Sequence, residues 1–353
     1  MMRVTEIDPP QTHADNRLSR LLAERDWLLA DGAVGTNLFA RGLEAGEAPE
    51  LWNITEPDKI RALHQEFVDA GSDILLTNSF GGTRFRLTLH GAQSRVHALN
   101  KRAAEIAREV ADNSGRDIVV AGSVGPTGEI LAPVGSLDFE DAASAFEEQI
   151  QGLIEGGADV IWAETISSRE EICAISEAAK RLNAPLCAMM SFDTAGRTMM
   201  GLTSRDYIAL AQEMAQTPLA LGANCGVGAS DLLRTMLGFQ AEAPSFPLIA
   251  KANAGIPKYV DGKVEYDGSP ELMASYAVLA RRAGACIVGG CCGSTGAHLR
   301  AMRLALESAD PAPTPSLDEI ARATGAFSSE TDGIFGDQKI QGRRTGRRRR
   351  QCQ

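Results

Sequence analysis

Val68-Asp-Ala-Gly-Ser-Asp-Ile-Leu-Leu-Thr77 runs from the end of a helical stretch, through a glycine, into a short apolar segment. The same joint returns as Ile154-Glu-Gly-Gly-Ala-Asp-Val-Ile-Trp162 and as Arg282-Ala-Gly-Ala-Cys-Ile-Val288. Glycine supplies the left-handed residue that ends a helix, and an apolar run without polar alternation predicts a strand buried on both faces. Working outward from these joints gives eight such runs: Trp27–Ala30, Ile74–Leu76, Ile118–Ala121, Val160–Ala163, Leu186–Met190, Leu219–Gly222, Leu248–Ala250 and Cys286–Val288. Helical patterns separate them. Ile60, Leu63 and Phe67 share one face, Ser168 with Glu171 makes a capping box, and Ser269-Pro270-Glu271 opens another helix with proline in its first turn. Short buried strands alternating with helices are parallel βαβ units, so the chain predicts an α/β fold, a (β/α)8 TIM barrel with a short C-terminal extension. An open doubly wound sheet is the competing arrangement, but no Gly-x-Gly-x-x-Gly turn follows the first run.

The expected boundaries are an N-terminal lead-in over 1–26, the barrel over 27–310, and a linker and tail over 311–353. Pro311-Ala-Pro-Thr-Pro315 is the linker, Leu317–Ala323 reads as one short helix, and the end carries Arg343, Arg344 and Arg347–Arg350. Without interleaved aromatic residues that basic end reads as a solvated, disordered tail. A formal charge of -11 disfavours a nucleic-acid partner, which demands cationic surface. No apolar run nears the roughly 20 residues that span a bilayer, so no membrane is expected. Met1-Met2-Arg3 opens no apolar signal segment, and the expectation is a cytoplasmic protein. Whether the chain forms a homo-oligomer is left open.

In a barrel the chemistry gathers at the C-terminal ends of the strands. Read in order, those ends carry Asp31, Asn78, Ser123, Glu164, Ser191 with Asp193, Asn224 with Cys225, Lys251 with Asn253, and Cys291-Cys292. The interiors of the runs carry almost nothing polar. That contrast marks one end of the barrel as a site.

Of seven cysteines, Cys173, Cys187 and Cys286 sit in apolar runs and read as core, and Cys352 lies in the tail. Cys225, Cys291 and Cys292 follow glycine or asparagine turns instead. They end the sixth and eighth strands, which flank the seventh in a closed barrel. A vicinal disulfide between Cys291 and Cys292 and three plain core thiols are the alternatives. Three thiolates suit tetrahedral Zn²⁺ with a fourth position open, the form of a catalytic site. Such a site is too electron-rich for a strong Lewis acid. It favours binding a substrate thiol as thiolate, ready to attack an alkyl donor.

Taken together, Asp31-Gly-Ala-Val-Gly-Thr36, Thr77-Asn78-Ser-Phe80, Gly122-Ser-Val-Gly-Pro126, Glu164-Thr165, Gly222-Ala-Asn-Cys225 and Gly289-Gly-Cys-Cys-Gly293 resemble the zinc-dependent homocysteine S-methyltransferases. The match runs in order from about Trp27 to Leu306, and it looks most like the bacterial betaine–homocysteine enzymes. The resemblance implies that Cys225, Cys291 and Cys292 ligate zinc and that the barrel binds homocysteine. It further implies that Asp31 and Glu164 hold the amino group of homocysteine, and that the turn Gly32–Thr36 offers N–H groups to its carboxylate. Asn78 and Ser123 either bond substrate or close loops, and Asn224 reads as a support for Cys225. The methyl donor is expected to be an onium compound: betaine, dimethylsulfoniopropionate or S-methylmethionine. Trp162, two residues before Glu164 and so on the same side of its strand, is a candidate aromatic wall, with Trp52, Phe80, Phe85 and Phe192 near the site loops. The animal betaine enzymes carry tyrosines where this chain has Thr165 and Gly81, so any cage is built differently here. Two other classes stay in view: a Schiff-base aldolase using Lys251, and a non-catalytic zinc-binding barrel with His298 as fourth ligand.

Overall fold

The computed structural model describes residues 16–242, 244–260 and 263–330. Its strands are β1 (Leu28–Leu29), β2 (Ile74–Leu76), β3 (Val119–Val124), β4 (Val160–Ile166), β5 (Leu186–Met190), β6 (Ala220–Cys225), β7 (Leu248–Ala252), the hairpin β8 (Lys258–Val260) and β9 (Lys263–Glu265), and β10 (Ala285–Gly290). All strands except the hairpin pair in parallel, in the order β1-β10-β7-β6-β5-β4-β3-β2. A single parallel bridge, Ala30 to Ile74, joins β1 to β2 and closes the ring. The fold is the expected (β/α)8 TIM barrel.

Each of the eight expected runs is a strand, but β3, β4 and β6 continue past their apolar segments. Ser123, Glu164, Asn224 and Cys225 therefore lie in the last turns of ladder rather than in loops. The parallel ladder needs only backbone groups, so it runs on where the side chains turn polar.

The barrel interior is one packed cluster that includes Leu28, Ile74, Val119, Trp162, Met189 and Ile287. Leu18 and Leu21, from the helix Arg17–Glu24 in the lead-in, complete that cluster from the N-terminal end. Cys187 is fully buried within it, and Cys173 and Cys286 are partly buried, as core cysteines should be.

Beyond the last barrel helix, Gly296–Ser308, the chain does not leave the surface. The helix Leu317–Thr324 packs back with Ile320 fully buried. Arg282 grips Glu319 with two parallel bonds of 2.6 and 3.0 Å. Farther on, Arg234 donates to the Ser329 carbonyl at 2.9 Å, and the Ser328 N–H donates to Asp231 at 2.9 Å. The extension to residue 330 is thus docked on the barrel, whereas the arginine-rich tail lies outside the described residues. Among the described residues no helix is long and apolar enough to cross a membrane.

Candidate metal and substrate site

Cys225 ends β6, and Cys291 and Cys292 follow β10 directly. Their sulfur atoms lie within 4.8 Å of one another, and all three are free cysteines, so the vicinal disulfide is not formed. Backbone bonds hold them in place: Cys291 N–H donates to the Ala252 carbonyl at 2.7 Å, and the Cys292 carbonyl accepts from Ala254 N–H at 2.9 Å. Hydrogen bonds among the thiols act in both directions on each. With burial and the neighbouring sulfurs added, Cys225 and Cys292 are each pushed up to about 12. Metal-free, these groups share protons; a soft cation would replace the protons.

The surroundings fit a metal ion. Asn253 donates its amide N–H to the Gly226 carbonyl at 2.8 Å, but its buried Oδ1 has no hydrogen-bond partner among the described residues. An amide oxygen left bare on a side chain that also bonds the Cys225 thiol is what a bound cation or its ligand would satisfy. Tyr266, after the hairpin, points its hydroxyl at Cys292 and lowers that thiol. A Cβ on Gly293 would stand 2.3 Å from the Tyr266 Cβ, so only glycine lets this ring approach. His298 takes no part: its Nδ1 faces Thr295, and its Nε2 lies 2.8 Å from the Gly268 carbonyl.

Two residues at the site adopt left-handed backbone without being glycine: Thr165 at φ 61° and Cys225 at φ 63°. For a β-branched threonine that conformation costs about 1–3 kcal/mol and needs a clamp. Asn224 is the clamp. Its Oδ1 accepts from Thr165 N–H and its Nδ2 donates to Thr165 Oγ1, both at 2.8 Å. Asn224 thereby locks the end of β4 to the end of β6 and lies 3.8 Å from the Cys291 sulfur.

The thiols open onto a cavity of about 380 Å³ whose wall includes Glu164, Lys251, Ser123 and Thr36. Glu164 is buried and accepts from Ser123 Oγ at 2.5 Å. Burial pushes its carboxyl up, while Lys251 and Ser123 pull it back. Asp31, expected alongside Glu164 to hold the homocysteine amino group, is not among the residues that line the cavity. It is fully buried behind the wall, with Oδ1 on Lys251 Nζ at 3.0 Å and Oδ2 on the Leu76 N–H at 2.7 Å. Burial pulls the Lys251 ammonium down, but Asp31, Glu164 and Cys291 outweigh it and hold the group above its ordinary range. A charged, paired lysine is a poor Schiff-base nucleophile.

Trp162 also lies deeper than expected. Its ring is fully buried in the barrel interior, with Lys251 Nζ 5.9 Å above it, and the cavity does not reach it. Phe192 packs edge-on against Phe239, 5.6 Å between centroids, in the core. The aromatic rings that do line the cavity are Phe80 and Phe39, both exposed at its mouth. Phe39 carried no pattern to single it out. Asn78 spends both amide hydrogens on closing loops, to the Pro49 carbonyl at 2.7 Å and Asn53 Oδ1 at 3.0 Å. Thr36 Oγ1 accepts from Gly293 N–H at 3.1 Å, tying the first loop to the cysteine loop. Gly32 passes so close to Ser294 that a Cβ would lie 3.0 Å from its carbonyl oxygen.

The family model described as homocysteine S-methyltransferase matches residues 28–306, from the first strand to the last barrel helix. The chain belongs to the homocysteine S-methyltransferase family. Two solved structures extend the comparison. The homocysteine methyltransferase MmuM from Escherichia coli in its oxidized form is 27% identical, with a TM-score of 0.67 over 82% of this chain and 99% of that one. Its metallated form is 26% identical, with the same TM-score and the same coverage. As a homocysteine S-methyltransferase the chain is an enzyme that transfers a methyl group from a donor to homocysteine, which sets aside the non-catalytic and aldolase readings.

Proposed function

We propose that this homocysteine S-methyltransferase works with a zinc ion held by Cys225, Cys291 and Cys292 and takes its methyl group from an onium donor, betaine first among them, to form methionine. The observation that carries this reading is the convergence of three free thiols and the buried Glu164 carboxylate on a single cavity. Zinc bound there would hold the homocysteine sulfur as thiolate at neutral pH.

The chain's own residues supply the rest. Glu164, oriented by Ser123, offers an anion to the homocysteine ammonium. Asp31 supports that anion at one remove, by fixing Lys251 beside it. Val34, Gly35 and Thr36 line the same cavity at the start of the helix Val34–Ala40, which no side chain caps, so their N–H groups are available to the substrate carboxylate. The homocysteine thiol gives its proton to solvent. The sulfur then attacks the methyl carbon, the carbon–nitrogen bond of the donor breaks, and its electron pair leaves with the neutral amine. A sulfonium donor would react in the same way, with a thioether leaving. Glycine at 81 and Thr165 at the end of β4 leave this cavity without the tyrosines of the animal betaine enzymes, and so favour keeping dimethylsulfoniopropionate and S-methylmethionine as the second reading. Three free thiols serve this chemistry only in a reducing compartment, so the reading places the enzyme in the cytoplasm.

The test is methionine formation by zinc-loaded protein given homocysteine and each of the three donors in parallel. Fastest turnover with betaine supports the first reading, and fastest turnover with either sulfonium supports the second. No methionine from any of them, with zinc and homocysteine both bound, overturns the onium donor.

A further inference from the structure

In the reading above, the inner end of the cavity meets the thiol, amino and carboxylate groups of homocysteine. Its mouth holds charges that homocysteine does not use. Arg86 and His90 both line the cavity and are exposed, four residues apart around the end of the short helix Arg84–Thr88. The Arg86 guanidinium forms no ion pair among the described residues, although the surface of this chain is rich in such pairs. It is nonetheless placed: its Nη1 lies 3.2 Å from where a Cβ on Gly128 would stand, so it lies across bare backbone of the loop after β3. Opposite in sign, Glu50 is buried in the cavity wall and accepts from the Gly81 N–H at 2.6 Å. Burial pushes the Glu50 carboxyl up, and Arg86 and His90 both act to pull it back, so the two charges sense each other across the mouth.

A cavity lined by an acid, two exposed aromatic rings and an unpaired guanidinium fits a zwitterion whose two charges are separated by a short spacer. The acid and the faces of Phe39 and Phe80 suit an onium centre, and the guanidinium suits a carboxylate. We infer that Arg86, assisted by His90, is the specificity-determining residue that binds the carboxylate of the methyl donor, so that the enzyme prefers onium acids to their amides, which keep the onium charge but lose the carboxylate. This rests on the onium reading given above and adds to it the second functional group of the donor. Held by its carboxylate at the mouth, the donor turns its onium end inward, toward the thiols.

The experiment compares betaine with its amide, and dimethylsulfoniopropionate with its amide, on the zinc-loaded wild type, Arg86→Gln and Arg86→Lys. The wild type is expected to show a donor KM on the order of 10-fold lower for each acid than for its amide. Arg86→Gln should raise the KM for the acids by about that factor and leave the amides and homocysteine where they were, and Arg86→Lys should recover part of the loss. Equal use of acid and amide by the wild type, or an unchanged acid KM in Arg86→Gln, overturns the inference. If no donor yields methionine, the proposed donor class fails instead. Calorimetric binding of acid against amide to the wild type and to Arg86→Gln then decides the role of Arg86 alone.

Discussion

Asp31 and Asp73 stand at opposite ends of one seam, the junction of β1 and β2. Asp73 accepts the Leu29 N–H at 2.9 Å, and Asp31 accepts the Leu76 N–H at 2.7 Å. Where the two strands share only the bridge between Ala30 and Ile74, these carboxylates take the place of missing ladder bonds. The remaining partners differ. Asp73 collects Arg25, Arg116 and Arg303, each partly open to water. Asp31 has one cation, the buried Lys251, and shares its field with Glu164 and Cys291. At the lower end positive charge is in excess and reaches solvent, so the carboxylate is satisfied and its work is structural. At the upper end one ammonium serves two carboxylates and a thiol, and Glu164 and Lys251 face the cavity. Charge at one end holds the fold together, and at the other it borders the cavity, at the barrel end where chemistry gathers in this architecture.

That contrast can be broken from the upper end first. Cys225→Ser should remove most of the bound metal and lower turnover by at least about 100-fold, beyond what loss of a supporting residue costs, with little change in melting temperature. Full metal content by elemental analysis together with full turnover would void the ligand assignment. Glu164→Ala should raise the homocysteine KM by roughly 10- to 100-fold with metal retained, the loss expected of one charge-assisted hydrogen bond. An unchanged KM would take Glu164 out of the substrate site.

Lys251→Met should cost about 3–5 kcal/mol in urea unfolding, because it strands the buried Asp31 without a counter-charge. Adding Asp31→Asn to it should restore most of that stability while homocysteine binding stays weak. Recovery of both together would make the upper pair as purely structural as the lower. Asp73→Asn should cost less, about 1–3 kcal/mol, because its arginines can turn to water, and kcat/KM should hold. A large drop in kcat/KM there would erase the distinction between the two ends.

Much of this arrangement is legible in the sequence. Eight apolar runs stand out because parallel strands are buried on both faces, and the cysteines stand out because they follow turns instead of sitting within those runs. Strands run a few residues past the apolar pattern where Ser123, Glu164 and Asn224 turn it polar while the backbone ladder continues. Alternation along β4 correctly sends Trp162 inward, but alternation carries no depth, and the ring lies below the cavity instead of beside it. The engagement of Asp31 by Lys251 spans 220 residues, and no local spacing encodes it. A lysine in the middle of Leu248-Ile-Ala-Lys-Ala252 was the available sign, since a buried cation needs a buried partner. Tyr266, Arg86 and His90 lie on rim segments without periodicity and gave no sign at all.

One packing detail bears on how such an enzyme changes over evolutionary time. A Cβ on Gly125 would fall 2.5 Å from the Phe80 ring, which forms part of the cavity mouth. Exchanging one hydrogen for a methyl group at 125 must therefore swing that ring, and with it the width of the opening. Any glycine codon becomes an alanine codon by a single base change. The width of the cavity mouth can thus change by one base while the three thiols stay as they are.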